Sequence, residues 1–118
     1  MIAPRLRRLP LRPVCGRTVP VAVGFRARLL GLAGLRREQA GPGLLLPRCA
    51  AVHTFGMRFE LDVVFLDGCG HPLATRLRVP PHRLVWHRGA EAVIEIPSPQ
   101  GGEFAVAQDL GRHVAAEE

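Results

Sequence analysis

The stretch 47–70, PRCAAVHTFGMRFELDVVFLDGCG, decides the fold that this sequence predicts. Its centre is a short apolar run, LDVVFL, which is β-branched in the middle and ends in the turn residues Asp67 and Gly68. A run of this length between turn residues favours a buried strand over a helix. Asp62 lies inside the run, and a buried carboxylate is costly unless it is hydrogen-bonded or paired. Asp62 therefore either accepts structural hydrogen bonds or lines a pocket, where it would orient an arginine, a histidine or a ligand.

Cys49 and His53 lie just before this strand, four residues apart, so they share one side of either a helix or a strand. A thiolate and an imidazole both bind zinc, but a closed zinc site needs about four ligands and an open one about three. No C-x-x-C or H-E-x-x-H pattern supplies the others, so the fold would have to recruit Asp62 or His82. We therefore expect no metal and no other cofactor. Cys49 then serves as a small buried apolar residue.

Five segments in their order along the chain resemble the family called domain of unknown function 192. They are RLLGL at 28–32, GLL at 43–45, VHTFGM at 52–57, LDVVFLD at 61–67 and VIEIP at 93–97. Two features depart from the family pattern: Glu60 replaces the proline that usually precedes the L-D pair, and residues 100–111 lack the usual P-A-G and P-G-D turns. The resemblance implies a compact fold rich in strands. It implies no activity, because the role of the family is not established.

Length and composition indicate one small domain. The chain has 118 residues, 47% of them hydrophobic, which is enough for one modest core. No apolar run reaches the about 7–15 residues of a signal peptide or the about 20 of a membrane span. We therefore expect a cytoplasmic protein without a transmembrane segment. Three cysteines, an odd number, suit reduced thiols better than a disulfide framework.

Charge is distributed unevenly along the chain. Residues 1–48 contain ten arginines and one acid, a net charge of +9, whereas residues 49–118 contain six arginines and nine acids, a net charge of −3. In residues 1–18 every apolar run is interrupted by arginine or proline. We expect these residues to form a flexible arm that folding does not need, followed by a single globular domain over residues 19–118. Such an arm either binds an anionic partner or remains solvated.

Apolar spacing predicts an α+β fold: one short helix packed on a strongly bent, mainly antiparallel sheet or a partly closed β-barrel. The helix is expected at 25–35 and the strands at 19–23, 44–46, 50–53, 61–66, 73–79, 90–96 and 104–107. Strands 61–66 and 73–79 form a hairpin, and alternation in 90–96 directs Glu95 outward. Residues 82–88 form a loop and short strand in which Trp86, the single tryptophan, is expected in the core or a pocket wall.

The polar motif H-T-F-G-M directly precedes the central strand, and bent sheets place pockets at strand ends. The candidate pocket residues are Cys49, His53, Thr54, Met57, Asp62 and Arg83, and none is assigned a catalytic role. The favoured function is an accessory module that binds an unknown small ligand or protein partner without catalysis. The alternatives are a small enzyme using Cys49, His53 and Asp62, and a weak binder of nucleic acid or an anionic surface through the arm. Known catalytic motifs are missing, and only 5% of residues are aromatic, which disfavours base stacking.

Overall fold

The computed structural model describes residues 1–100. The helices are α1 (Pro4–Arg7) and α2 (Phe25–Leu30), followed by a 3-10 turn at Arg37–Gln39. The strands are β1 (Leu11–Val14), β2 (Arg17–Pro20), β3 (Leu44–Pro47), β4 (Ala51–His53), β5 (Leu61–Leu66), β6 (Pro72–Val79), β7 (Leu84–Trp86) and β8 (Ala92–Pro97). The predicted α+β class is confirmed, with a strongly bent and mostly antiparallel sheet and no closed barrel in the described part of the chain. No helix of residues 1–100 combines the length and hydrophobicity that crossing a membrane requires.

The central sheet has the order β3-β8-β5-β6, and all its pairs are antiparallel. All six residues of β5 are buried. Val63 and Phe65 belong to one hydrophobic cluster and Val64 and Leu66 to another, because successive side chains point to opposite faces of a sheet. Since both faces are covered, β5 appears in the sequence as an unbroken apolar run. The hairpin of β5 with β6 is confirmed.

Within residues 1–100, β6 forms one outer edge of this sheet. Two register shifts interrupt its pairing with β5. Strict alternation would place Leu77 on the same buried face as Thr75 and Val79, but Leu77 is 50% exposed, and both its neighbours, Arg76 and Arg78, are exposed as well. The opposite edge, β3, is covered by a parallel bridge between Val21 and Leu45.

Two small sheets flank the central one. Strands β1 and β2 form one, and β4 and β7 form the other. Leu84 and Trp86 of β7 are 58% and 65% exposed, so Trp86 does not lie in the core, the first of its two expected positions. The reason is that, among residues 1–100, β7 pairs with β4 alone, and its alternate residues Leu84 and Trp86 share an exposed face. The strand expected at 104–107 lies outside the described residues.

Helix α2 is shorter than its sequence pattern predicts. It ends at Gly31, whose φ of 54° and ψ of −127° lie outside the helical region. No residue of α2 is buried, and Phe25 is 79% exposed, whereas Leu32 beyond the helix is fully buried. The predicted apolar face is thus divided between an exposed helix and a buried turn.

Residues 1–18 contact the rest of the chain, and the flexible arm that the sequence predicts stays a prediction. Ala3 and Leu6, at either end of one helical turn, are buried in the main hydrophobic cluster. The Arg5 guanidinium donates hydrogen bonds to the carbonyl oxygens of Gly31 (3.0 Å) and Ala33 (2.7 Å). Strand β1 pairs with β2 over four residues. Two well-placed apolar side chains and backbone pairing thus position this segment, although its apolar residues are sparse.

Candidate functional site

Thr54 joins the H-T-F-G-M motif to the loop that precedes β7. Its hydroxyl donates to the carbonyl oxygen of Pro80 (2.7 Å) and accepts from the backbone N–H of Arg83 (2.8 Å). The carbonyl oxygen of Thr54 accepts from the N–H groups of Met57 and His82, both at 3.2 Å. Thr54 is fully buried, so these contacts fix the turn and leave its side chain no opening to solvent.

A row of rings runs along the outside of this turn. The ring centroids of His53 and Phe55 are 5.7 Å apart, and those of Phe55 and His82 are 6.0 Å apart. The Arg83 guanidinium is exposed and lies 3.5 Å from the carbonyl oxygen of His82. Met57 instead packs in the main hydrophobic cluster.

Asp62 is buried and held by structural contacts. Its Oδ1 atom accepts from the backbone N–H of Arg78 (2.9 Å) and the Ser98 hydroxyl (2.7 Å). Its Oδ2 atom is buried without a hydrogen-bond partner among residues 1–100. Asp62 is opposite Ile96 in the sheet and shares a face with it, so Glu95 points to the other face.

A cavity of about 80 Å³ lies below α2 on the Glu95 side of the sheet. Its polar lining consists of Arg28, Cys49, His53 and Glu95, and its apolar lining comes from the end of α2, from β3 and from β4. Of the six residues that the sequence suggested for a pocket, the cavity brings together Cys49 and His53. It is not lined by the other four, which are Thr54, Met57, Asp62 and Arg83. The functional roles of all six stay predictions.

Glu95 is the residue that sequence reasoning missed, because strand alternation placed it outward. The structure leaves it only 3% exposed, and its Oε1 atom has no hydrogen-bond partner in the described chain. Burial raises the pKa of its carboxyl to about 7, against the opposing effect of a hydrogen bond from the backbone N–H of Leu32. A Cβ atom at Gly31 would lie 2.7 Å from Oε1, so the glycine leaves room for the carboxyl. The position of this acid inside the apolar segment VIEIP was the sequence signal from which its burial could have been predicted.

His53 and Cys49 complete the cavity without contacting each other by a hydrogen bond. The Nδ1 atom of His53 is buried and has no hydrogen-bond partner within residues 1–100. The Cys49 thiol donates to the carbonyl oxygen of Ala51 at 3.0 Å. No group of three potential metal ligands occurs in the described part of the chain. Two residues that line the cavity therefore each have a buried polar atom without a partner within residues 1–100, His53 at Nδ1 and Glu95 at Oε1.

A larger groove of about 570 Å³ runs along the outside of α2. Its apolar lining includes Phe25, Leu29 and Leu46, and its basic residues are Arg28 and Arg48. The Arg28 guanidinium donates to the carbonyl oxygen of Arg48 at 3.0 Å, which places a positive charge over the loop after β3.

Groove and cavity are adjoining spaces. Four residues line both of them: Arg28, Leu29, Leu46 and Cys49. A third depression of about 410 Å³, on the other side of α2, is lined by Arg5, Arg8 and Arg26. Within residues 1–100 none of its lining side chains leaves a buried polar atom unpaired, so the first pair of spaces has the more specific chemistry.

The fold and these spaces define a small α+β domain with a basic, apolar groove that leads to a buried acid. The model of the domain of unknown function 192 (DUF192), described as "Uncharacterized ACR", matches residues 15–109, and the chain belongs to this family. No curated protein matches the chain.

Two crystal structures share the fold. One is a protein of unknown function from Novosphingobium aromaticivorans DSM 12444, with a TM-score of 0.62 and 18% identity over 94% of this chain and 85% of that one. The other, from Sinorhizobium meliloti 1021, is described as a "putative transcription regulator", with a TM-score of 0.60 and 22% identity over 75% of this chain and 77% of that one. At these identities the likeness concerns the fold alone.

Proposed function

We propose that this chain is a cytoplasmic module that binds a small amphiphilic molecule without catalysis of its own. Its site comprises the groove along α2 and the adjoining cavity. The observation that carries the proposal is that two residues lining the cavity, Glu95 and His53, each have a buried polar atom without a partner in the described chain, Oε1 and Nδ1. Buried polar groups are normally hydrogen-bonded, so these atoms mark a place where a ligand or water supplies the partner.

The outer groove supports the same function. Phe25 and Leu29 are 79% and 55% exposed on a helix that buries no residue. Contiguous exposed apolar surface beside polar groups is typical of binding sites. The nearby Arg28 and Arg48 favour an occupant that carries negative charge.

The enzyme alternative has less support. A cysteine nucleophile needs a neighbouring base or charge that activates it. The Cys49 thiol instead donates to a backbone carbonyl, and neither His53 nor Asp62 is its hydrogen-bond partner in the described chain. Binding without catalysis therefore agrees better with these contacts.

The proposal is tested with N-phenyl-1-naphthylamine, a neutral apolar fluorophore that brightens when it leaves water. We expect saturable binding to the full chain and its loss in the Leu29→Asp variant, because a carboxylate in the groove makes apolar burial costly. Leu77→Asp is the matched control, since Leu77 is similarly exposed, at 50%, on the distant strand β6. Absence of saturable binding, or equal losses in both variants, would reject the groove as a binding site.

A further inference from the structure

The inner cavity has features that narrow the chemistry of the ligand, on the assumption that the proposed binding function holds. Its volume of about 80 Å³ exceeds the space that one water needs, and it suits a few waters or one small polar group. The groove of about 570 Å³ has room for an apolar chain. A ligand that fills both spaces therefore has a small polar head and an apolar tail.

Glu95, which lines the cavity and is only 3% exposed, offers one contact for that head. Its Oε1 atom lies beneath Gly31 without a protein partner. When its carboxyl is protonated, it donates one hydrogen bond and so requires an acceptor on the ligand. Since its pKa is raised to about 7, the protonated form is well populated at neutral pH.

His53 and Arg28 favour an anionic head over a cationic one. The Nδ1 atom of His53 is a second buried group without a partner, and it donates when it carries the proton. Arg28 lines both spaces, and its guanidinium donates to the carbonyl oxygen of Arg48, a residue of the groove lining. Two potential donors and a nearby guanidinium match a carboxylate, whose oxygens accept several hydrogen bonds.

We propose that the ligand is a monocarboxylate with an apolar tail, bound with its carboxylate in the cavity against Glu95 and His53 and its tail along the groove between Phe25 and Leu46. The ligand carboxylate and Glu95 then share one proton, because two adjacent carboxylates repel each other when both are ionised. Binding is therefore coupled to protonation of Glu95.

This coupling sets the direction of the pH dependence. The ionisable groups that line the cavity are Arg28 from α2, Cys49 from the loop after β3, His53 from β4 and Glu95 from β8. Ionisation of Glu95 above about pH 7 adds negative charge beside the ligand, so the affinity for a carboxylate falls as pH rises. For coupling to this single proton, the fall between pH 6 and pH 8.5 is roughly 30-fold.

The test measures displacement of N-phenyl-1-naphthylamine by octanoate, octanamide and octylamine at pH 6 and pH 8.5. These ligands share one tail and differ in the head. We expect octanoate to bind most tightly at pH 6 and to lose roughly 30-fold in affinity at pH 8.5. In Glu95→Gln, octanoate should still bind with nearly constant affinity, because the amide N–H donates at both pH values. Glu91→Gln, at an exposed site on the other end of β8, should behave as wild type.

Three outcomes would overturn the ligand class while leaving the binding function intact, since each requires that the fluorophore itself binds. If octanamide and octanoate bound with equal affinity at pH 6, the cavity would not recognise the carboxylate. Tighter binding of octylamine, increasing with pH, would identify an ammonium paired with ionised Glu95. An unchanged pH dependence in Glu95→Gln would remove Glu95 from the site. Failure of the fluorophore to bind the wild-type chain would instead reject the proposed function.

Discussion

Two carboxyl groups are buried in the central sheet, and their surroundings differ. Asp62 accepts two hydrogen bonds on one oxygen, from Arg78 and Ser98. Glu95 accepts one backbone hydrogen bond, from Leu32, and its Oε1 atom has no partner in the described chain. Each acid thus has one oxygen without a partner within residues 1–100. Asp62 makes two hydrogen bonds through its other oxygen, whereas Glu95 makes one and lines a cavity.

The first prediction concerns stability and the charge of Glu95. Folding raises the pKa of its carboxyl from 4.5 to about 7, so the folded state binds the proton more tightly than the unfolded state. The associated stability is fully present below pH 4.5 and decreases as pH rises through 7. We expect the wild type to lose about 2–3 kcal/mol between pH 5 and pH 8 through this group, and Glu95→Gln to lose much less.

Urea denaturation at the two pH values measures this difference. Glu91→Gln is the control, because it removes an exposed acid from the same region of the chain. Parallel pH dependences in wild type and Glu95→Gln would contradict the predicted linkage.

The second prediction concerns Asp62. Asp62→Asn keeps the shape of the side chain but removes the charge that strengthens its bonds with Arg78 and Ser98. It also places an amide donor where Oδ2 has no partner within residues 1–100. We expect a loss of about 1–3 kcal/mol in denaturant melts at pH 7.

Glu60→Gln is a suitable control, since Glu60 forms an exposed ion pair with Arg78 at 3.1 Å and such pairs contribute little. A midpoint for Asp62→Asn that equals or exceeds that of wild type would refute the structural role.

The sequence predicts the burial of Asp62 but not that of Glu95. Asp62 interrupts the apolar run at 61–66, so its burial could be inferred from its neighbours. Glu95 fits the alternation of a half-exposed strand, in which it would face water. It is buried because β8 lies between β3 and β5 and both its faces are covered, and this depends on strand order. Local periodicity contains no information on strand order.

Among the elements, α1 is the one whose contribution the sequence most understates. Leu6 is 2% exposed in the main cluster, whereas Leu11 on β1 is 68% exposed. We expect Leu6→Ala to lower the free energy of unfolding by about 2–5 kcal/mol, because it leaves a cavity in the core. Leu11→Ala should change it by less than about 0.5 kcal/mol. Chemical denaturation of both variants checks this pair of values.

Deletion of residues 1–17 tests the contribution of α1 and β1 to stability together. A chain that starts at Thr18 lacks Leu6 and the Arg5 contacts with Gly31 and Ala33, so its thermal midpoint should fall by several degrees. An unchanged midpoint, together with equal stabilities of Leu6→Ala and Leu11→Ala, would support the prediction that residues 1–18 are a flexible arm that folding does not need.

Strands were predictable where turn residues bound them on both sides. The limits of β5 agree with the sequence prediction, and those of β3, β4 and β6 agree to within one residue. Helix α2 was predicted too long because spacing alone continues its apolar face to Leu35. Gly31 adopts a backbone conformation that ends the helix, and periodicity does not register such a change. The Cys49–His53 part of the cavity was predictable from spacing, but the contribution of Glu95 required the fold.

At the scale of the molecule, several arginines serve as structural hydrogen-bond donors, so fewer of them are available to bind an anionic partner than their number suggests. Arg5, Arg17 and Arg37 donate to backbone carbonyl groups of distant segments. Arg8 and Arg26 are exposed beside the third depression. We expect only weak binding of single-stranded DNA, which disappears by about 0.2 M salt and is weakened in an Arg8→Gln/Arg26→Gln variant.

Fluorescence anisotropy of a labelled oligonucleotide during a salt titration measures this interaction. Arg76→Gln is the control, because Arg76 is exposed on β6. Tight binding that persists above that salt concentration would revive nucleic-acid recognition as a function.

The outer strand β6 has a consequence for the behaviour of the protein at high concentration. An exposed strand edge is a template on which a second copy adds by backbone pairing, and charged side chains and irregular pairing discourage this addition. Arg76 and Arg78, together with the two register shifts, provide both forms of protection here. Electrostatic repulsion weakens when salt screens it. Concentrated salt should therefore promote aggregation of molecules that remain folded, and light scattering would detect it before any change in circular dichroism.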